Sequence, residues 1–247
     1  MCDKIYIFKD SDLKELKGVI QSESILLEDI REISQNYRHA SRNCHYIDDV
    51  CKGKNVFALL ANVDTNQIDE RDESWICIQV GSGDDIAKEI ISDFICMQPY
   101  EKDVRSCKTE FHKNTPDVDY SNSVRAQKYR VLPECYKKYK ILVFDNSKFL
   151  NLFLCNADEL PIDEMRYYVE VIFAYKTKAY YWNKSPRGCE ARILEEIKHN
   201  KNLNKPIGNL VGIINKGKIR KIMIRKGGVL YDYVTGAGCS DDSGYVR

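Results

Sequence analysis

Three groups of residues in this chain have side-chain types and spacings suited to phosphate chemistry. The first is WICIQVGSGDDIAKEI, Trp75 to Ile90, where an apolar run ends on Gly81-Ser82-Gly83-Asp84-Asp85 and a helical pattern follows. Backbone N–H groups at a helix start can hold an anion. The turn is nevertheless neither a GxxxxGK[ST] loop nor a GxGxxG fingerprint, because Ile86 takes the third glycine position. The second group is CEARILEEIKHN, residues 189–200, which offers Arg192, Glu195 and Glu196 on one helical pattern. The third group is basic: Lys216, Lys218, Arg220, Lys221, Arg225 and Lys226 fall close together near the C-terminal end.

Including the strand before the glycine turn brings a resemblance into view. Asn55-Val56-Phe57, a loop, Gln79-Val80-Gly81 and then Asp85-Ile86 entering a helix resemble the core of the GIY-YIG nucleases. CEARILEEIKHNKNLNKPIGN is similar to the family's later helix with its metal-binding Glu and downstream Asn. The resemblance covers residues 55–97 and 189–209. It implies a divalent-metal-dependent endonuclease, a hydrolase cleaving phosphodiester bonds with Mg²⁺ or Mn²⁺. By that resemblance Glu196 (or Glu195) is the metal ligand and Asn204 or Asn209 closes the site. Gln79 and Arg192 are expected near the phosphate, Arg192 or Arg105 substituting for the family's missing Arg only from elsewhere in space. A tyrosine or a water would handle the nucleophile's proton. Three positions depart from the family. Phe57 and Gln79 stand where its tyrosines belong, and Glu89 stands where its catalytic Arg is expected. A carboxylate cannot stabilise a pentacoordinate phosphorane as a guanidinium can. Glu89 therefore favours the rival reading, a non-catalytic nucleic-acid-binding or protein-interaction module. A plainer reading also stands, in which Gly81 and Gly83 only turn a strand into a helix.

The basic C-terminal segment predicts a nucleic-acid surface of Lys216, Lys218, Arg220, Arg225 and Lys226, with Tyr231 and Tyr233 available for stacking on bases. Strand alternation divides these charges between two faces. A solvated edge ribbon whose lysines prevent aggregation is the competing reading. In YRHASRNCHY, Arg38 and His45 are seven apart and would share a face of one helix. Loose Cys and His groups are weak zinc candidates (Cys44, His45 and Cys51 with His39, or Cys107 with His112), since structural zinc usually brings two tight ligand pairs. A nucleotidyltransferase-like glycine-serine turn lacks its paired carboxylates, because Asp93 runs into Phe94-Ile95 within a helical pattern. GxSxG, HExxH and EF-hand patterns are absent, and Glu170 and Lys176 are too far apart for a Glu-x-Lys nuclease motif.

Composition bounds these readings. The chain has 247 residues, 43% hydrophobic and 30% charged, enough for one large domain or a core with a lobe. Formal net charge is +1, so bulk charge does not point to nucleic acid, although a local basic surface can still form. Ten scattered cysteines without a CxxC pair read as reduced and largely buried thiols. The start MCDKIYIFKDSDLKEL lacks the pattern of a signal peptide, and no apolar run reaches membrane-span length. A cytoplasmic protein with no membrane partner is expected.

The elements that must position these groups follow from periodicity. Strands are expected at residues 4–8, 55–61, 75–80 and 139–155, the last split by Asn146-Ser147. Helices are expected over 12–21, from Ser24 to about Asp49, over 84–98 and over 189–200. RYYVEVIFAYKTKAYYW, residues 166–182, is the richest in β formers and predicts a hairpin turning near Lys176-Thr177-Lys178. LVGII, KIRKIMI and VLYDYVT predict a C-terminal β-meander. The expected fold is α+β, a mainly antiparallel sheet flanked by helices, with two N-terminal helices and the meander. Its sections are 1–54, a central core 55–209 with a polar insertion around 100–128, and a basic 210–247, either separate or all one domain.

Overall fold

The computed structural model describes residues 5–38, 45–63, 73–97, 129, 132–154, 157–179, 181–182, 188–203, 207, 211–213, 223–226, 229–232 and 238–239. Its centre is a six-stranded antiparallel sheet. The strands are β1 (Ile5–Lys9), β2 (Ile20–Leu26), β3 (Val56–Val63), β4 (Ser74–Ser82), β5 (Lys138–Phe144) and β6 (Val211–Ile213), in the order β2-β5-β3-β4-β1-β6. Residues from the beginning, middle and end of the chain thus share one sheet. A second, three-stranded sheet holds β7 (Met223–Lys226), β8 (Val229–Asp232) and β9 (Gly238–Cys239).

The strand β3 lies between β5 and β4, and all but one of its eight residues are buried. A continuous apolar run such as VFALLA suits that place, because both of its faces are covered. Helices α2 (Leu27–Arg38), α3 (His45–Cys51), α4 (Ile86–Cys96) and α5 (Leu132–Cys135) supply the core on one face. The other face is covered by α1 (Asp10–Glu15), α6 (Asn146–Leu150), α7 (Ile162–Thr177) and α8 (Cys189–His199). This is an α+β fold with its antiparallel sheet held between helical layers. Among the described residues no helix is long and apolar enough to cross a membrane.

Helix α4 forms where the spacing places it. Ile86, Ile90, Ile91, Phe94, Ile95 and Met97 are all buried. The carboxylate of Asp85 caps it by accepting from the Lys88 N–H at 3.2 Å, which satisfies one of the donors a helix start leaves open.

Several expectations are corrected. Residues 166–182 do not make a hairpin. Residues 162–177 are helix α7, and Lys178, in the left-handed conformation at φ 53°, ends it where the hairpin turn was expected. Tyr168, Val169, Val171, Ile172, Phe173 and Ala174 are all buried. A helix apolar on most sides shows little amphipathic period, and burial overrides the β propensity of its branched and aromatic residues. Phe173 packs against Phe8, Phe144 and Phe149 with ring centroids 4.9–6.1 Å apart, the geometry favoured by aromatic pairs.

The strand expected through residue 155 ends at Phe144. Asp145 then caps α6, its carboxylate accepting from the Lys148 N–H at 3.2 Å. The helix expected over 12–21 stops at Glu15, and Gly18 at φ 88° turns the chain into β2. That backbone conformation favours glycine over any L side chain. The long helix expected from Ser24 begins as the end of β2, then divides into α2 and α3. Asp29 marks the change, its carboxylate accepting from the Leu26 N–H at 3.0 Å. The meander is distributed between sheets, with β6 beside β1 at the edge of the main one. The polar stretch 100–128 lies outside the described residues.

Candidate polyanion-binding site

The surroundings of the glycine turn decide what it can bind. Two residues on α7, one helical turn apart, hold it. Ser82 donates from Oγ to Glu170 Oε2 at 2.5 Å, and Arg166 donates from Nη1 to Asp84 Oδ1 at 2.5 Å. Glu170 also accepts from Trp182 Nε1 at 3.2 Å. Burial pushes the Glu170 carboxyl above its ordinary value of 4.5, against the two hydrogen bonds, which favour the charged form. Gly81 fills a close contact, since a Cβ there would lie 2.7 Å from the Phe57 ring. A cleft of about 410 Å³ opens beside the turn. Asp48, Asp84, Asp85 and Asp163 line it against Lys52, Lys54 and Arg166. The acids outnumber the bases, so this cleft does not suit a phosphate. The turn is therefore clamped to α7 and does not cradle an anion.

The expected catalytic residues fall on different sides of the sheet. The pairing of β3 with β4 shifts register between Leu59 and Leu60, and Ile78 is the extra residue on β4. Directly paired residues face the same side, so Gln79 shares the side of Leu59, which packs with α4. Arg192 and Glu196 sit on α8, whose Ile193 and Ile197 pack with α7 in the core of the other side. The sheet separates Gln79 from both. Nor does the Gln79 side-chain oxygen, which is buried, have a hydrogen-bond partner among the described residues. Glu89, at the family's Arg position, is exposed on α4.

Arg192 and Glu196 already have partners within the fold. Tyr168 donates to Glu196 Oε2 at 2.6 Å. Burial first and then the Glu196 carboxylate push the Tyr168 hydroxyl up to about 12. Arg192 donates to the Cys189 thiol and to Glu164, and these contacts hold its guanidinium above its ordinary range. Among the described residues, no group of three or more His, Cys, Asp or Glu is placed to hold a metal ion. Tyr168 is a partner that the residue spacings did not indicate. It sits in a segment expected to be strand, whereas only the helix brings it to face α8.

Other expected sites are only partly described. Asn204, Asn209, Lys216, Lys218, Arg220, Lys221 and Tyr233 lie outside the described residues, as do His39, Cys44, Cys107 and His112. Arg225 and Lys226 lie on β7, paired with Leu230 and Val229 of β8, and Tyr231 pairs with Ile224. Arg38 and His45 belong to separate helices, so a spacing of seven does not give them a common helix face.

A basic cleft that the motifs did not suggest lies at the β2 edge of the main sheet. Its volume is about 610 Å³. Buried Leu13 and Leu16 pin α1 to the core, which leaves Lys14 and Lys17 exposed. The Lys17 N–H donates to the Lys14 carbonyl at 3.1 Å, so the helical turn continues to Lys17 and keeps both lysines on one side. The Gly18 turn then brings β2 alongside β5, and Asp145 N–H donates to the Val19 carbonyl at 2.9 Å. Lys54 enters from the residues before β3, Lys140 from β5 and Lys148 from α6.

Five lysines line this cleft against two aspartates, Asp10 and Asp145. The two acids are occupied. Asp10 Oδ1 accepts from Lys140 Nζ at 2.5 Å and from Trp75 Nε1 at 2.7 Å. Lys140 also lies 4.3 Å from the centre of the Trp75 ring, an added cation–π contact. Asp145 pairs with Lys148 at 3.1 Å. Slight burial pushes the Asp145 carboxyl up, yet the hydrogen bonds from Lys148 and the charges of Lys148 and Lys54 hold it below its ordinary value. That leaves Lys14, Lys17 and Lys54, none of which is in an ion pair among the described residues. No protein-family model matches this chain, and neither a curated protein nor a solved structure matches it.

Proposed function

We propose that this protein binds nucleic acid, using the lysine-lined cleft at the β2 edge as its phosphate contact. The observation that carries this reading is the cleft's excess of three positive charges, held by Lys14, Lys17 and Lys54. Exposed ammonium groups displace the counterions of a polyanion, and this release drives association. The binding-module reading is favoured over cleavage because Gln79 lies across the sheet from Glu196, and Glu196 and Arg192 are engaged by Tyr168 and Glu164.

The experiment is binding of labelled duplex DNA, single-stranded DNA and RNA over a salt series, with Mg²⁺ or Mn²⁺ added in parallel. Wild type is compared with Lys14→Ala/Lys17→Ala/Lys54→Ala and with Lys88→Ala, which removes one lysine charge outside the cleft. Salt-dependent binding is expected, weakened in the triple variant with a shallower salt dependence and kept in Lys88→Ala. For every phosphate no longer neutralised, the plot of log affinity against log salt should flatten by about 0.7–0.9. Metal-dependent cutting that disappears in Glu196→Ala would replace the binding reading with the nuclease reading. Absence of binding to all three nucleic acids would refute both.

A further inference from the structure

Resting on that reading, we infer that the cleft takes the phosphorylated end of a strand, one terminal nucleotide, in preference to an internal stretch of backbone. Three observations lead there. The first is size. A concave space of about 610 Å³ lies within the range of small-ligand sites, about 300–1,000 Å³. Its volume suits one nucleotide.

The second observation is charge. Lys14 and Lys17 sit one helical turn apart on the same side, joined by the Lys17 N–H to Lys14 carbonyl bond. Lys54 lines the same cleft and is near enough to Asp145 to lower its carboxyl. Three lysines lining one cleft match a terminal phosphomonoester, which carries about −1.5 to −2 at neutral pH. A diester carries a single charge. A surface tracking internal phosphates would instead spread its lysines along a path.

The third is the rest of the lining. Half-buried Val19 and the exposed edges of Leu13 and Ile20 add apolar surface, and Ser22, on the same face of β2 as Ile20, adds a hydrogen-bonding group. Apolar walls with a few polar groups suit the sugar and base of a nucleotide and would serve no purpose for a bare phosphate.

The test is a competition series using a labelled 12-nucleotide strand carrying a 5′-phosphate, a 3′-phosphate or neither. Adenosine monophosphate and inorganic phosphate serve as competitors. One of the phosphorylated strands is expected to bind at least tenfold more tightly than the unphosphorylated one. The nucleotide should displace it at a lower concentration than inorganic phosphate, and Lys14→Ala/Lys17→Ala should abolish the difference between strands. Both lysines are exposed, so thermal unfolding of that variant should match wild type and confirm its fold. Equal, salt-sensitive binding of all three strands would overturn the end-recognition inference and leave nucleic-acid binding standing. Equal displacement by nucleotide and inorganic phosphate would overturn the nucleotide part. No binding of any strand would overturn this inference and the proposed function together.

Discussion

Replacing Gly81 with alanine tests the reading of the glycine turn as a packed corner. A Cβ at Gly81 would lie 2.7 Å from Phe57 Cε1 and 3.0 Å from Cζ. Real Cβ contacts essentially never come that close. The Phe57 ring is only 2% exposed and packs in the same core as α4, so it cannot swing into solvent. Overpacking of this kind costs about 1–3 kcal/mol, which in a chain of this size lowers the melting temperature by about 3–10 °C. Gly83 is the control, because its nearest neighbours to a new Cβ are 3.9 Å away and it does not have a left-handed φ. Gly83→Ala should leave stability within about 0.5 kcal/mol of wild type. The cause can be isolated in a Phe57→Leu background, where the ring is gone and Gly81→Ala should cost less than half as much. Denaturant unfolding of the four proteins in that cycle supplies the numbers. Equal stability of the Gly81→Ala and Gly83→Ala proteins, or additivity with Phe57→Leu within about 0.5 kcal/mol, would refute the packing argument.

Three further predictions concern buried ionisable groups. Glu170 has its carboxyl raised above 4.5 in the fold, so its contribution is present at low pH and is lost as pH rises through the folded value. Glu170→Gln should therefore raise the melting temperature more at pH 8 than at pH 4, and a pH-independent difference would contradict the assignment. Asp10→Ala would leave Lys140, 8% exposed, without its carboxylate. A loss of about 3 kcal/mol is expected, at the low end for a broken buried pair because Asp10 is itself partly exposed, with Lys140→Met milder. Chemical denaturation of both variants measures this. Burial pushes the thiols of Cys51 and Cys77 up to about 12. Neither should be alkylated in the native protein at pH 8, as read by mass spectrometry, whereas both should react after unfolding.

The parts of the fold legible in the sequence were those where local signals and burial agree. VFALLA reads as a central strand because β3 is covered on both faces, and α4 combines an Asp cap with a wide apolar stripe. Helix α8 was legible for the same reason, with Ile193 and Ile197 one turn apart and buried. The α7 segment was misread because its Val, Ile, Phe and Tyr residues favour strands on propensity. Its position over β1, β3 and β4 is a tertiary fact with no local signature. Pro161 followed by Asp163 and Glu164 was the available helix-start signal, and no Gly or Pro interrupts the next turns. Gly18 similarly marked the end of α1. The basic cleft was illegible as a motif, since Lys14, Lys17, Lys54, Lys140 and Lys148 are scattered along the sequence and meet only when β2 pairs with β5. The separation of Gln79 from Glu196 depends on the Ile78 bulge and on which layer each helix joins, and a linear spacing carries neither.

The central claim is that Lys14, Lys17 and Lys54 make the phosphate contact. The most direct measurement is the salt dependence of oligonucleotide affinity for wild type and the triple alanine variant, made on the same labelled strand. The account predicts a steep slope for wild type that flattens in the variant by about 0.7–0.9 for each phosphate the three lysines no longer neutralise, with a matching loss of affinity. An unchanged slope and affinity in the variant would contradict it and place any nucleic-acid contact elsewhere on the protein.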